Sequence, residues 1–334
     1  MARVAVDALG GDRAPEEVVA GALAAAADGI EVTLYGPAGL DTGGLPLVVS
    51  EEAIGMAEKP SEAVRAKPDS SLVSAVRAVA RGEADAVLSA GNTGAVLAAG
   101  LLHLRRAPGV LRPAIAVPLP TRGGVSLLID GGANADCRPE HLEQFAVMGS
   151  VFCREILDVP DPAVRLLSIG EEPEKGNQLT IEAHALLARV QGIRFEGNSE
   201  ARDLLRGAAD VVVSDGFTGN VALKLLEGGI KELLDLLREE ISATATGKLG
   251  GLLIRPAARR IRARLDPDTY GGAYLLGLNG LAVIAHGNSG RRAIANATRL
   301  AARGAEHEVA RRLAEALPER ERGREAALGL QDAR

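Results

Sequence analysis

The sequence predicts an α/β fold of three layers, with helices on both faces of a mostly parallel sheet, and three observations lead there. Short runs rich in Val, Ile, Leu and Ala alternate with longer stretches of helical spacing. The runs are apolar on both faces, as a sheet covered from both sides requires. Five of them end in a glycine-rich loop ahead of a helix, the corner from which α/β layers are assembled.

In order, strands are expected at 4–7 (VAVD), 31–35 (EVTLY), 85–89 (DAVLS), 114–118 (AIAVP), 125–130 (VSLLID), 164–169 (VRLLSI), 193–196 (IRFE), 210–214 (DVVVS) and 282–285 (AVIA). Helices are expected at 15–27, 70–81, 93–105, 139–157, 178–189, 220–242 and 289–313. Pro15 and Pro139 stand where a first helical position falls, and Gly82 follows 70–81 as a C-terminal cap. No linker divides residues 1–317, so one domain is expected there, with a helical hairpin at about 220–266. The charged stretch 318–334 is expected to fray.

With 334 residues, 47% hydrophobic and 25% charged, the chain has ordinary globular composition and room for a large core. It has no Trp, three Tyr and four Phe, so Ala, Val, Leu and Ile must fill that core, and stacking platforms for nucleic acid are not expected. The net charge of −6 also argues against a general polyanion partner. Cys137 and Cys153 are too few for a disulfide framework and show no metal-ligand spacing. No metal and no cofactor is therefore expected, and the cytosol is the expected compartment. MARVAVDALGGD reaches an acid and paired glycines too early for a signal peptide. No run of about 18 apolar residues marks a membrane span, and contact with a membrane surface stays open.

The five corners are DALGGD (7–12), SAGNTG (89–94), DGGANAD (130–136), SDGFTGN (214–220) and AHGNSG (285–290). Such loops let backbone N–H groups converge at a helix start, where the helix dipole favours an anion. Candidate phosphate-binding residues are Gly10, Gly11, Ser89, Gly91, Gly94, Asn134, Ser214, Gly216, Gly219, Gly287, Asn288 and Ser289. Any one corner alone is equally a plain turn, since turns need Gly. None fits the Walker loop or the dinucleotide fingerprint, so a bare phosphate or a phosphate ester fits better than a nucleotide.

The stretches MARVAVDALGGDRAP, EKPSEAVRAKPDSSLVSAV, SAGNTGA, GANADCRPEHLEQFAVMGS, IGEEPEKGN, SDGFTGNVALK, YGGAYLLGL and AHGNSGRRAI together resemble the PlsX family, phosphate acyltransferases of bacterial phospholipid synthesis. The resemblance runs from about residue 3 to about residue 300. It implies transfer of a long fatty acyl group from acyl carrier protein to inorganic phosphate, giving an acyl phosphate that a membrane-bound glycerol-3-phosphate acyltransferase consumes. It also implies a homodimer and a fold similar to the isocitrate dehydrogenase and phosphotransacetylase group. Three positions depart from the family pattern: Arg13 replaces a usual His, Tyr274 a usual Pro, and AHGNSG stands where AHGSSN is common. The last two are expected to change loop detail only.

Phosphate near neutral pH carries close to two charges and needs no covalent enzyme nucleophile; the protein must aim it and stabilise the oxyanion. ADAVLSAGNTG (84–94) and ADVVVSDGFTG (209–219) agree at seven of eleven positions, which suggests two copies of one cradle facing each other across a cleft. Asn92 and Thr93 on one side, Thr218 and Asn220 on the other, would supply neutral donors; the alternative is that they only cap helices. Asp215 would orient a donor, accept a proton or hold His286, and His286 would donate to the departing thiolate or to phosphate unless it is structural. Cys137, near the helix start at Pro139, is the rival nucleophile, against a packed and inert reading. His103, His141, His184 and His307 are read as surface or core. Glu171, Glu172 and Lys175 are read as loop surface or cleft rim.

From Lys248 to Leu265 the chain has six basic residues and no acid. Lys248, Leu249, Leu252, Leu253, Ile254, Arg255, Arg259 and Arg260 form an amphipathic pattern suited to a membrane surface or to an acidic carrier protein, the alternative being a solvated helix on the body. Arg105, Arg106 and Arg112 are a second candidate for the carrier. Competing functions are a phosphotransacetylase acting on a coenzyme A thioester and a non-catalytic scaffold for carrier and membrane.

Overall fold

The computed structural model describes residues 1–317, so the stretch expected to fray, 318–334, lies outside the described residues. The elements are β1 (Arg3–Asp7), α1 (Glu16–Ala26), β2 (Glu31–Gly36), β3 (Leu47–Val49), α2 (Pro60–Ala66), α3 (Ser71–Ala80), β4 (Ala86–Ser89), α4 (Thr93–Ala99), β5 (Ala114–Pro120), β6 (Val125–Ile129), α5 (Pro139–Ile156), β7 (Ala163–Ser168), α6 (Gln178–Leu187), β8 (Arg194–Glu200), β9 (Val211–Val213), α7 (Gly216–Ala243), α8 (Ala245–Leu265), β10 (Ala273–Leu276), β11 (Leu281–Ile284), α9 (Arg291–Glu306) and α10 (Val309–Ala316).

The described strands form one eleven-stranded sheet in the order β3-β2-β1-β4-β11-β10-β5-β6-β9-β7-β8. Pairing is parallel in both wings and reverses at β11–β10, β10–β5 and β5–β6. After those three reversals the wing ending in β11 and the wing beginning with β6 run in opposite senses. Leu88, Val283, Tyr274, Ala116, Ile129 and Val213 lie in register across the centre. Ser89 and Ile284 lie one residue beyond that line in one direction, Asp130 and Ser214 one residue beyond it in the other. The stagger therefore keeps both sets of strand ends close to the middle of the sheet.

Alternate residues feed two cores. Val4, Val6, Leu88, Ile129 and Tyr274 face α1, α5 and α9, with Phe145 and Phe152 of α5 in the same core, while Ala5, Val87, Ile115, Leu275 and Ile284 face α3 and α4. Burying one such large side chain contributes about 1.5–3 kcal/mol. A smaller patch of Leu119, Leu128, Leu204 and Val212 lies under Leu223 of α7. Gly21 lets α9 approach α1 closely, since a Cβ there would meet Ile294 Cβ at 2.5 Å.

The three-layer expectation holds, with differences of detail. β3, with both valines exposed, and α2, opened by Pro60, have too little apolar periodicity to be read from sequence. β10 is bracketed by Gly271–Gly272 and Gly277, which hid it as a loop. Tyr274 consequently corrects one expectation: it is not loop detail but a fully buried strand residue, edge-on to Phe152 at 5.0 Å, its hydroxyl donating to the Leu300 carbonyl. The helix expected at 93–105 passes into a π-turn at Gly100–Leu104, and that at 289–313 breaks at Glu308, where φ is 51°.

Candidate functional site

The loops after β1, β4 and β11 interlock backbone to backbone. Asp12 N donates to Gly287 O at 2.7 Å and Ala285 N to Ser89 O at 2.9 Å. A Cβ on Gly10 would meet Asp7 Oδ2 at 2.5 Å, Ser89 Oγ at 2.8 Å and Gly91 N at 2.9 Å, so only glycine fits there. Gly11 has φ 109°, which also favours glycine. Beneath them Asp7 is buried and accepts from Ser71 Oγ and Ser89 Oγ, each at 2.6 Å. Burial pushes its carboxyl above the usual range, and the serine hydroxyls oppose the rise.

In this first corner Ser89 and Asn92 build the loop rather than face outward. Ser89 Oγ accepts from Gly91 N at 3.0 Å. Asn92 donates to Met56 O and Glu58 O at 3.0 and 3.1 Å while its Oδ1 caps α4 at Ala95 N, 3.2 Å away. Gly94 is pressed against Pro60 and Ser289 is buried, whereas Thr93, His286 and Asn288 are exposed at the rim. Arg13 reaches the same rim, its Nη1 3.4 Å from where a Cβ of Gly290 would stand. Among the described residues its guanidinium makes no hydrogen bond or ion pair, though its charge bears on Glu17 and Asp268.

The second corner, after β6 and β9, is built around Asp130. Fully buried, it accepts from Ile115 N, Gly132 N, Ala133 N, Asn134 N and Asn134 Nδ2 at 2.8–3.0 Å. Burial raises its carboxyl, against the pull of those donors. Gly216 N donates to Asn134 O at 2.8 Å, and a Cβ on Gly219 would stand 2.0 Å from Asp130 O. Asp215 caps α7, accepting from Thr218 N at 2.9 Å and Thr218 Oγ1 at 2.8 Å. Ser214 Oγ is buried without a partner among the described residues, and Asn220 is exposed beside Gly132.

One expectation is corrected here, and the echoed segments differ in detail: they end strands of opposite sense, and a neutral amide caps one helix where a carboxylate caps the other. Asp215 does not hold His286. The partner of His286 is Glu227, on the third turn of α7, with Nε2 3.2 Å from Oε1. Glu227 also receives Lys224 Nζ at 2.8 Å. Burial would raise the Glu227 carboxyl, but the bonds from His286 and Lys224 outweigh it and bring it down to about 2. Sequence reasoning missed Glu227, Asp7 and Asp130 as site residues. An acid closing an apolar strand ahead of paired glycines was the available signal for the latter two.

Cys137 is half-buried and its thiol is pushed by burial up to about 12, which suits the inert reading over the nucleophile. His184 bonds Asn198 at 2.9 Å, and His141 accepts from Arg138 N at the start of α5. Glu171, Glu172 and Lys175 lie on an exposed loop after β7. Beyond its packed first turns α7 pairs with α8 across Thr244, whose Oγ1 accepts from Gly247 N at 2.9 Å. Leu249, Leu252, Leu253, Ile254 and Ile261 of α8 are exposed, as are Lys248, Arg255, Arg259 and Arg260. No helix among the described residues is long and apolar enough to cross a membrane.

Known proteins resemble this chain closely in sequence and more distantly in shape. Residues 2–312 match the family model described as fatty acid synthesis protein. A phosphate acyltransferase of Thermosynechococcus vestitus is 46% identical over 324 residues, covering 93% of this chain and 94% of the relative. One of Desulfitobacterium hafniense is 48% identical over 310 residues, covering 90% and 92%. Among solved structures, a phosphotransacetylase from Streptococcus pyogenes superposes with a TM-score of 0.64 at 17% identity over 91% of this chain and 94% of that one. A branched-chain phosphotransacylase from Enterococcus faecalis gives 0.60 at 18% over 92% and 100%; both show the shared fold. The sequence matches span nearly the whole chain and bear out the resemblance read from its motifs: the chain belongs to the fatty acid synthesis protein family, that of the PlsX phosphate acyltransferases, and is an acyltransferase.

Proposed function

We propose that the chain moves a long-chain fatty acyl group from the thioester of acyl carrier protein to inorganic phosphate, releasing acyl phosphate and free carrier thiol. The observation that carries this reading is the first corner. Gly10, Gly11, Gly91 and Gly287 let three strand-end loops pack against one another, and Thr93, Asn288, His286 and the Arg13 side chain stand exposed together at their rim, where neutral donors and a cation suit a small anion. A phosphate held there attacks the thioester carbonyl directly. A C–O bond forms, the C–S bond breaks, and His286 takes a proton from the phosphate and passes it to the departing thiolate. Arg13, Thr93 and Asn288 offset the charge that gathers on phosphate and oxyanion. In the second corner the exposed Thr218 and Asn220 offer donors to the acyl carbonyl, and Asp215 holds Thr218 in place.

The exposed apolar and basic residues of α8 support peripheral contact with the inner face of the cell membrane and docking of an acidic carrier. Delivery of an amphiphilic acyl phosphate to a membrane-bound glycerol-3-phosphate acyltransferase follows from that placement. We propose a cytoplasmic homodimer. The test is a thiol-release assay with palmitoyl carrier or palmitoyl coenzyme A, with and without phosphate. Phosphate-dependent release favouring the carrier supports the reading. Preference for the coenzyme A ester points to a phosphotransacetylase, and no release to a scaffold.

A further inference from the structure

We infer that Glu227 is the positioning residue of His286, fixing which ring nitrogen faces the substrate. The inference rests on the proposed role of His286 in the acyl transfer. Three observations lead to it. Nε2 of His286 lies 3.2 Å from Glu227 Oε1, and the other carboxylate oxygen is tied to Lys224 Nζ at 2.8 Å, so the carboxylate cannot swing freely. Ala222, Leu223 and Leu226 anchor this stretch of α7 on Leu119, Leu128 and Val212, and Gly228 and Gly229 follow at once with open space where Cβ atoms would be. Glu227 therefore directly follows the stretch of α7 that packs on the body. Finally, His286 is exposed at the rim of the first corner, and among the described residues its Nδ1 has no partner.

A carboxylate bonded to one imidazole nitrogen selects the tautomer and leaves the other nitrogen for chemistry. Here Nε2–H is the donor to Glu227, and Nδ1 is left to exchange protons with thiolate and phosphate. The other charged groups around the ring are Asp268 from the turn before β10, Arg13 beyond it, and Asp12 beside Gly287. None of these bonds it. Beyond its first turn α7, which leads into the exposed α8, meets His286 through this ion pair.

Two readouts test this on the full chain. In the first, ring-nitrogen NMR shifts are recorded for wild type and Glu227→Gln, with the His286 signals assigned through His286→Gln. The wild type is expected to show Nε2–H as the neutral tautomer, and Glu227→Gln a mixture. Unchanged ring shifts overturn the inference even if the protein shows no acyl transfer. In the second, phosphate-dependent thiol release is measured for both single variants and the double variant, after thermal melts confirm folding. Glu227→Gln should lower kcat roughly tenfold or more with the phosphate KM unchanged. The double variant should be no slower than His286→Gln alone. Additive losses, or an altered KM with intact kcat, assign Glu227 a structural role. A wild type without phosphate-dependent release defeats the proposed function and leaves the ring shifts to decide this inference.

Discussion

The two glycine corners share a sequence pattern and differ in what lies under them. Asp7 answers chiefly to two serine hydroxyls at 2.6 Å, with one longer backbone N–H, that of Leu9, at 3.3 Å, and Asp130 to four backbone N–H groups and an asparagine amide. Hydroxyls rotate and backbone does not, so the first corner can adjust to a ligand while the second is locked to the sheet. The caps differ in the same direction: Asn92 is neutral, and Asp215 places a carboxylate where an anion would have to sit. A repeated strand-loop-helix motif therefore encodes a shape twice and a chemistry once.

The sharpest way to break the comparison is to crowd each corner with one methyl group. In Gly219→Ala the new Cβ would stand 2.0 Å from a backbone oxygen, that of Asp130, which cannot move without dismantling its donors. A loss of about 3 kcal/mol or more is expected, and urea melts should show it. Gly91→Ala would meet Ser89 Oγ at 3.1 Å, the end of a side chain that can turn. A loss of about 1 kcal/mol is expected there. Equal losses would show the first corner to be as rigid as the second.

Next in size is the exchange of each buried acid for its amide. In Asp130→Asn an NH₂ group must face donors, leaving buried N–H groups unpaired at about 1–3 kcal/mol each. In Asp7→Asn the Ser71 and Ser89 hydroxyls can reverse and accept, so about 1 kcal/mol is expected. Comparing the two variants by thermal melting checks the order, and the reverse order would refute the distinction drawn between hydroxyl and backbone donors.

Much of this architecture was legible because buried strands must be apolar on both faces and helix starts carry caps. β1, β4, β6 and β11 stood out through VAVD, DAVLS, VSLLID and AVIA. The opposite sense of the two wings was not legible, because three antiparallel pairings fix it and β10, the strand that mediates two of them, is four residues between glycines. The site divided along the same line. Loops with local signatures were found, but Glu227 lies eleven residues into a helix, and only the fold brings it to His286. Ser89 and Asn92 were chosen correctly as polar residues of a corner, yet a sequence does not reveal whether a polar atom points at a ligand or at its own loop.

Acid titration separates the buried acid under the first corner from Glu227 by sign. Burial raises the Asp7 carboxyl above its ordinary 3.8, so between 3.8 and the folded value the native state holds a proton that the unfolded chain has released. Stability from this group is present below 3.8 and falls as pH rises through the folded value. Glu227 behaves in the opposite way: lowered from 4.5 to about 2, it stabilises above 4.5, and that contribution is lost as pH falls towards 2. Glu17, brought to about 2 by Arg291, has the same sign, though its exposure to solvent screens the effect. Urea melts from pH 3 to 7 should show Asp7→Asn flattening the decline on the alkaline side of 3.8, and Glu227→Gln removing part of the loss below 4.5. A Glu227→Gln curve parallel to wild type would mean the ion pair does not form in solution.

The smallest differences are expected at the helix caps. Asp215→Ala removes one acceptor from the start of α7 and should cost about 1 kcal/mol, while Asp215→Asn keeps a cap of similar strength and should change stability by only a few tenths of that, roughly. Asn92→Ala loses its cap at Ala95 and also the two bonds that hold the Met56 and Glu58 carbonyls over α4, so a cost nearer 2 kcal/mol is expected. The comparison is informative because both residues occupy the same place in the echoed motif. If Asn92→Ala costs no more than Asp215→Ala, then the loop that crosses the first corner is held by packing at Pro60 and Gly94 rather than by the Asn92 amide. Crowding that contact with Gly94→Ala, which would bring a Cβ within 2.6 Å of Pro60 Cγ, should then become the more damaging change of the two.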